Sequence, residues 1–344
     1  MAYKYLFFDD YSEGAHPRIL ETLGNTNLVQ ELGYGEDSIC LEAARLVKEK
    51  VRDREADVYF VSGGTQANFI ALASMLKPYE SVVAVTTAHI NTHEAGAVEA
   101  TGHKIHGVKG LSGKITPEAI RDIAAQHTDE HMVKPKVVFI SHATEIGTAY
   151  EKRELEAVSK TCKELNLYLY LDGARLGSAL ASSGADITLA DLPKLVDMFY
   201  IGGTKNGALV GEAIVIVNPE LRENFRFYLK QRGALLAKGR VLGAQFVELF
   251  KDDLFFELAR HANSLAGKLS RGMGDCGYGF LTPSSTNQIF PILPNVVINR
   301  LKEKYGFYVW SKIDETNSAV RLVTSWATNE ESVGEFLEDL KKIS

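Results

Sequence analysis

Two residues that can do chemistry each close a short apolar run in this 344-residue chain. Lys205 stands in Ile201-Gly-Gly-Thr-Lys-Asn-Gly207, just after Met198-Phe-Tyr-Ile201. Asp172 stands in Leu171-Asp-Gly-Ala-Arg175, just after Leu167-Tyr-Leu-Tyr-Leu171. Side chains at the ends of two strands of one sheet converge on a single ligand, which is where open α/β sheets bind. An amine and a carboxylate so placed suit pyridoxal 5'-phosphate: the lysine forms the Schiff base and the aspartate holds the pyridinium nitrogen protonated. At a partly buried site that attraction is on the order of 4 kcal/mol at about 4 Å, enough to keep the ring an electron sink. Taken singly, Asp172 would be no more than a turn aspartate with Gly173 making the bend.

Ser62-Gly-Gly-Thr-Gln-Ala-Asn68 follows a candidate strand and opens a candidate helix, Gln66–Leu76. Small residues let the backbone approach an anion, and free N–H groups at a helix N-terminus complete a phosphate site. The same run also reads as a Gly-Gly turn with Thr65 as N-cap. No Walker lysine and no GxGxxG run accompany it, which argues against the nucleotide versions of such a loop. Thr204 offers another hydroxyl to the same phosphate. Arg175, and Arg321 in Val320-Arg-Leu-Val-Thr-Ser-Trp-Ala327, are of the type that pairs bidentately with an amino-acid carboxylate. His89, in Thr86-Thr-Ala-His-Ile-Asn-Thr-His-Glu94, can stack on a cofactor ring. His89 and His93 are spaced like a helical metal pair followed by Glu94. The zinc-protease order needs Glu directly after the first histidine, where this chain has Ile90, so no metal is expected. His103 and His106 read as polar residues of a strand or turn.

These groups need a scaffold, and the apolar patterning supplies one. Candidate strands are Val58–Ser62, Val82–Val85, Val137–Ser141, Leu167–Leu171, Met198–Gly202 and Ala213–Val217. Helical spacing lies between them, as in Pro117–Gln126 and Glu151–Leu165, and Leu41–Asp53 reads as an amphipathic surface helix. Strand–helix alternation predicts an α/β fold, a mostly parallel sheet between helices. After about residue 245 the character shifts: a helix over Phe246–Leu269, the glycine-rich run Gly272–Gly279, short strands near Asn287–Pro291, Gly306–Trp310 and Val320–Ser325, and a closing helix over Glu330–Lys342. The expected division is a large domain over 1–245 and a smaller C-terminal α+β domain over 246–344.

Composition narrows the classes further. A hydrophobic content of 45% and a charged content of 24% are those of an ordinary globular protein. A net charge of −6 without any Lys/Arg-rich run argues against a nucleic-acid partner. No stretch has transmembrane length, and the opening Met-Ala-Tyr-Lys-Tyr-Leu-Phe-Phe-Asp-Asp is too short and acidic for a signal peptide. Cys40, Cys162 and Cys276 are odd in number and far apart, so they read as reduced cytoplasmic thiols.

Taken in order and spacing, these residues resemble the threonine aldolase family of fold-type-I pyridoxal-phosphate enzymes, also known as β-eliminating lyases. The resemblance spans nearly the whole chain: Gly33-Tyr-Gly-Glu-Asp37, Gly64-Thr-Gln-Ala-Asn68, Ala88-His89 with Glu94-Ala-Gly96, Asp172-Gly-Ala-Arg175, the lysine run, and Arg321-Leu-Val-Thr-Ser-Trp326. It is similar above all to the low-specificity and phenylserine-aldolase-like branch. The resemblance implies that Lys205 carries the cofactor, Asp172 pairs with its pyridinium, His89 stacks on it, and Gly64, Thr65 and Thr204 hold its phosphate. It implies that Arg175 and Arg321 clamp the substrate carboxylate, and that Tyr34 reaches the site of a neighbouring subunit in a dimer or, more often, a tetramer. Arg232, Lys238 and Arg240 fall in a glycine-rich basic stretch of the family, where a phosphate role is expected of Arg240.

Two departures stand out. Many family members carry a histidine in a Glu-Asn-Thr-His run that handles the substrate hydroxyl; here Ala143-Thr-Glu-Ile-Gly147 puts Glu145 at that place, able to accept the proton directly or through water. Near the N-terminus, where a serine often touches the substrate carboxylate, this chain has Asp9 beside Asp10, and an ionised Asp9 would repel it. The expected reaction is aldol cleavage of L-threonine, L-allo-threonine or a related β-hydroxy-α-amino acid to glycine and an aldehyde. β-Elimination, racemisation or transamination on the same scaffold is the alternative, and a metal-dependent reaction at His89, His93 and Glu94 a more distant one.

Overall fold

Valine, isoleucine and leucine runs are best buried where both faces of a strand are covered, and here they meet in one sheet. The computed structural model describes residues 3–343. The central sheet has seven strands: β1 (Asp57–Val61), β2 (Glu80–Val85), β3 (Ile105–Val108), β4 (Lys134–Ser141), β5 (Tyr168–Asp172), β6 (Met198–Gly202) and β7 (Glu212–Ile216). Their order is β1-β7-β6-β5-β4-β2-β3. β7 is antiparallel to both neighbours, and every other pairing is parallel. Successive strand residues point to opposite faces, so the burial of every residue in β2, β6 and β7 shows that both faces are covered. Helix Gly64–Met75 packs on β5, β6 and β7, Pro117–Gln126 on β4, and Lys152–Glu164 on β5. The expected α/β architecture with a mostly parallel sheet is the one observed.

Local details depart from expectation in instructive ways. β3 is short and carries His106 and Gly107, too polar to read as a strand; it forms because β2 offers it a parallel edge. Helix Gly64–Met75 begins before Gln66, with Gly63 rather than Thr65 at its N-cap. The single helix expected over Phe246–Leu269 is two, Arg240–Lys251 and Leu254–Asp275. Asp253 breaks them apart at φ 59°, a left-handed conformation that aspartate tolerates better than most side chains. Both residues of the break are held from the N-terminal helices: Arg18 pairs with Asp252 at 2.8 Å and Lys50 with Asp253.

A second apolar cluster gathers Leu265, Leu269, Met273, Leu293, Leu301, Phe307, Leu322 and Phe336. Its sheet pairs Ile292–Pro294, Asn317–Val323 and Tyr308–Lys312 antiparallel, with Gln288–Ile289 against Val323 and Leu322. The start of the chain belongs to this layer too. Tyr5–Leu6 pairs in parallel with Tyr305–Gly306, and Phe7 is fully buried in the second cluster. Helix Leu254–Asp275 spans both cores, with Phe255 in the first and Leu269 in the second.

Candidate active site

The parallel strands end on one edge of the sheet, and the loops leaving that edge carry the chemistry. β1 feeds the turn before Gly64, β2 leads to His89, β4 to Glu145, β5 ends in Asp172, and β6 leads to Lys205. The turns after β5 and β6 are bonded to each other: Gly202 N–H donates to Gly173 C=O at 2.9 Å. Only glycine fits at 173, because a Cβ there would lie 1.8 Å from the Tyr200 carbonyl oxygen. This backbone-to-backbone contact sets the separation of Asp172 and Lys205.

Asp172 is buried at the centre of a polar network. Its Oδ1 accepts from Tyr200 Oη at 2.6 Å and Ala174 N–H at 2.9 Å, and its Oδ2 from Asn68 Nδ2 at 2.9 Å. The same Asn68 amide donates to Glu94 Oε1 at 2.7 Å, while its Oδ1 accepts from Tyr170 Oη at 3.2 Å. Glu94 Oε1 also takes His89 Nδ1 at 2.7 Å. One glutamate thus fixes the ring of His89, and one asparagine joins that glutamate to Asp172. Burial opposes protonation of His89, but the Glu94 hydrogen bond and the charges of Glu145 and Asp172 outweigh it and raise its pKa.

Lys205 is half-buried, its Nζ 5.9 Å from the Tyr11 ring centroid. Burial and the Arg175 charge hold its amine below the usual lysine range, against the pull of Asp10, Asp172 and Glu145. A larger fraction of free, nucleophilic amine follows. Beside it Thr204 Oγ1 accepts from Gly211 N–H at 3.0 Å, and Gly203 N–H donates to Glu212 Oε2 at 2.8 Å. Burial pushes that glutamate up to about 7. Glu145 Oε1 accepts from Ser141 Oγ at 3.0 Å.

The N-terminal segment crosses the same site. Arg175 makes a two-point pair with buried Asp10, Nε at 2.7 Å and Nη2 at 3.1 Å, and Asn287 Nδ2 adds a third contact at 2.8 Å. Burial works against the Asp10 charge, but Arg175, Lys205 and Asn287 prevail and lower its pKa. Arg321 Nη2 donates to the Phe8 carbonyl at 3.0 Å and to Asp9 Oδ1 at 3.2 Å.

The structure therefore gathers Lys205, Asp172, His89, Glu145, Thr204, Arg175, Arg321 and Asp9 at one strand edge, with Gly64 and Thr65 opening the helix that carries Asn68. A Cβ at Gly64 would stand 3.0 Å from Tyr200 Oη, so the loop hugs the tyrosine that holds Asp172. Tyr34 and Arg240 lie elsewhere on the chain. Tyr34 is exposed under Lys230, whose Nζ is 4.6 Å from its ring centroid, and Arg240 donates to the carbonyls of Val29 and, at 3.0 Å, Asn27. Sequence reasoning passed over Asp10, Tyr11, Asn68, Tyr170, Tyr200 and Glu212. Strand register is the signal that finds two of them. Tyr170 lies two residues before Asp172 on the same face of β5, and β6 pairs Met198 with Tyr170, which brings Tyr200 level with Asp172.

These residues fit pyridoxal phosphate. The helix at Gly64 has no side-chain cap to occupy its first N–H groups, leaving them for a phosphate. Asp172 is held by three donors beside the lysine turn, and a lysine of lowered pKa stands next to it. Fold and site together define a fold-type-I pyridoxal-phosphate enzyme. The chain belongs to the beta-eliminating lyase family, whose model matches residues 17–294. It is 37% identical over 338 residues to the low specificity L-threonine aldolase of Pseudomonas aeruginosa, covering 97% of this chain and 96% of that one. A solved structure of Leishmania major threonine aldolase superposes with a TM-score of 0.97 at 49% identity, covering 98% of this chain and 99% of that one. Aspartate aminotransferase of Thermus thermophilus superposes at 0.73 with 18% identity, covering 99% and 92%, a likeness of fold alone.

Proposed function

We propose that this chain cleaves L-threonine, L-allo-threonine or a related β-hydroxy-α-amino acid to glycine and an aldehyde. The observation that carries this reading is the pairing of Lys205 and Asp172 on two turns bonded to each other, in a chain so similar to threonine aldolases. When bound, pyridoxal phosphate supplies an electron sink for the Cα–Cβ bond. Lys205 would anchor it through its amine, Asp172 would keep its pyridinium nitrogen protonated, and His89, oriented by Glu94, would stack on it. Gly64, Thr65 and Thr204 would hold its phosphate.

The remaining residues act on the substrate. Arg321 would grip the α-carboxylate, while Arg175, expected to share that clamp, has its Nε–Nη2 edge taken by Asp10 and adds only its charge, so the amino acid would be held in one orientation, a positioning effect. Glu145 accepts the proton of the β-hydroxyl, directly or through a water, which turns the Cα–Cβ bond into the one that breaks. His89, also near Glu145, shares the field in which that proton moves.

Partner and compartment belong to the same proposal. Leu28, Leu32 and Phe227 are 92%, 69% and 74% exposed. They lie along a surface knitted together by Arg226 to the Tyr34 carbonyl, Tyr34 N–H to Ala237, and Arg240 to Val29. Exposed apolar side chains grouped this way mark an interface, which supports a homodimer, or a tetramer built from it, with Tyr34 and Arg240 at the contact. Three free cysteines fit a cytoplasmic setting, and among the described residues no helix is long and apolar enough to cross a membrane.

The test is product analysis with L-threonine and L-allo-threonine in the presence of the cofactor. Equimolar aldehyde and glycine are expected, and Lys205→Ala should lose both products and the borohydride-fixable cofactor. Keto acid and ammonia instead would establish β-elimination on this scaffold.

A further inference from the structure

The two arginines of the site present the same edge, formed by Nε and Nη2, in different states. On Arg175 that edge is complete: Asp10 meets both nitrogens, and Asn287 secures the carboxylate from the other side. Asp10 is fully buried and bonded three ways, so it is a fixture. On Arg321 the edge is half used. Asp9 meets Nη2 alone, and Nε is buried with no partner. A buried donor left without an acceptor costs roughly 1–3 kcal/mol, and the group that satisfies an Nε–Nη2 edge is a carboxylate approaching with both oxygens.

The guanidinium itself is not free to turn toward another acceptor. It lies between Tyr308 and Trp310, 5.2 and 5.4 Å from their ring centroids, and Nη2 is tied to the Phe8 carbonyl. The backbone around Asp9 is fixed as well, since Phe7 N–H donates to Gly306 and Phe7 C=O accepts from Val323. The part free to move is the Asp9 side chain, through its χ angles.

We propose that Asp9 is an internal competitor for the carboxylate subsite: its carboxylate holds the Nε–Nη2 edge of Arg321 by one oxygen, and a substrate binds by displacing it with an α-carboxylate that takes both nitrogens. The inference rests on the reading that Arg321 grips the substrate carboxylate. Asp9 holds the guanidinium through a single hydrogen bond, its carboxylate also meeting the Tyr11 hydroxyl, while the incoming carboxylate gains two on Arg321 and satisfies the orphaned Nε. Ligands without that second oxygen anion cannot recover the cost of moving Asp9. The device therefore weakens binding of α-carboxylates, which must displace Asp9, and bears less on amides and esters, which do not.

The experiment is a titration of cofactor-loaded protein with glycine and with glycinamide, read from the visible absorbance of the cofactor, for the natural chain, Asp9→Asn and Asp9→Ser. Removing the competing charge should tighten glycine about five-fold, which corresponds to about 1 kcal/mol, the upper range for a solvent-accessible ion pair. For glycinamide, which leaves Asp9 in place, the same substitutions should change binding by less, so the preference for glycine over glycinamide rises. Unchanged or weaker glycine binding in both variants, with the natural chain responding normally, overturns the proposal. A natural chain whose cofactor absorbance ignores glycine overturns the reading beneath it.

Discussion

Asn68 divides its amide between two carboxylates with different tasks, and that division explains how a flat imidazole and a pyridinium partner are kept in one geometry. Asp172 and Glu94 would repel each other in a shared buried space, but Asn68 gives each one N–H and is itself held by Tyr170. The charge of Glu145 also contributes to the raised pKa of His89. If Glu145 is the proton acceptor, Glu145→Gln slows aldol cleavage by roughly 10²-fold. The substitution also removes a charge that favours the His89 cation, so the His89 titration should move to lower pH. Steady-state rates over a pH series check both. Unchanged rates would hand the proton to His89 or to a water. At this scale the sequence showed the residues proposed to meet ligands and hid those that hold them in place. Lys205 and Asp172 announce themselves by ending apolar runs, whereas Asn68 and Tyr200 look like any buried polar residue until strand register brings them beside Asp172.

Among the elements, β7 does something the parallel strands do not. It runs against its neighbours, so it brings the buried Glu212 back to the end of β6, where its carboxylate accepts from Gly203 N–H one turn from Lys205. Burial raises this group from an ordinary 4.5 to about 7. Between those values the folded chain binds more protons than the unfolded one, so this group makes stability fall as pH rises from about 4.5 to about 7. Glu212→Gln should remove that slope and leave the protein relatively more stable above pH 7. Thermal unfolding of both proteins between pH 4.5 and 8 measures it; parallel curves would discard the idea. The elements themselves were legible where patterning was strong. All six candidate strands of the central sheet end within one residue of the observed ones, because their apolar runs are what the sheet pairs and covers. β3 escaped because four residues with a histidine and a glycine carry no pattern. The break at Asp253 escaped because neither proline nor glycine marks it; the turn is stabilised by Arg18 and Lys50 from distant helices.

For the whole molecule, the apolar surface around Leu28, Leu32, Tyr34 and Phe227 is the feature a single chain leaves unexplained. A homodimer would cover it and bring Tyr34 and Arg240, which lie apart from the Lys205 cluster in one chain, to a shared boundary. Replacing Leu32 and Phe227 together by aspartate should halve the sedimenting mass and lower cleavage by at least about ten-fold, since charges buried at an interface core are poorly tolerated. A full-size assembly with normal turnover would show that this face is not the contact. Nothing in the linear order of residues displays such a surface, because its members come from residues 28 to 34 and from 227, which the fold alone brings together.

The pairing of Tyr5–Leu6 with Tyr305–Gly306 has a consequence for how the protein is made. The segment bearing Asp9 and Asp10 leaves the ribosome well before Asn287, Tyr305 and Arg321, which hold it and are synthesised hundreds of residues later. At a few to tens of residues per second, this acidic strip waits many seconds without its partners. Meanwhile the sheet with Asp172 and Lys205 can already assemble behind it. A nascent chain can thus complete the edge that carries Asp172 and Lys205 well before Arg321 and Asn287 close over Asp9 and Asp10. On the reading proposed above, substrate recognition is the last part of the site to mature.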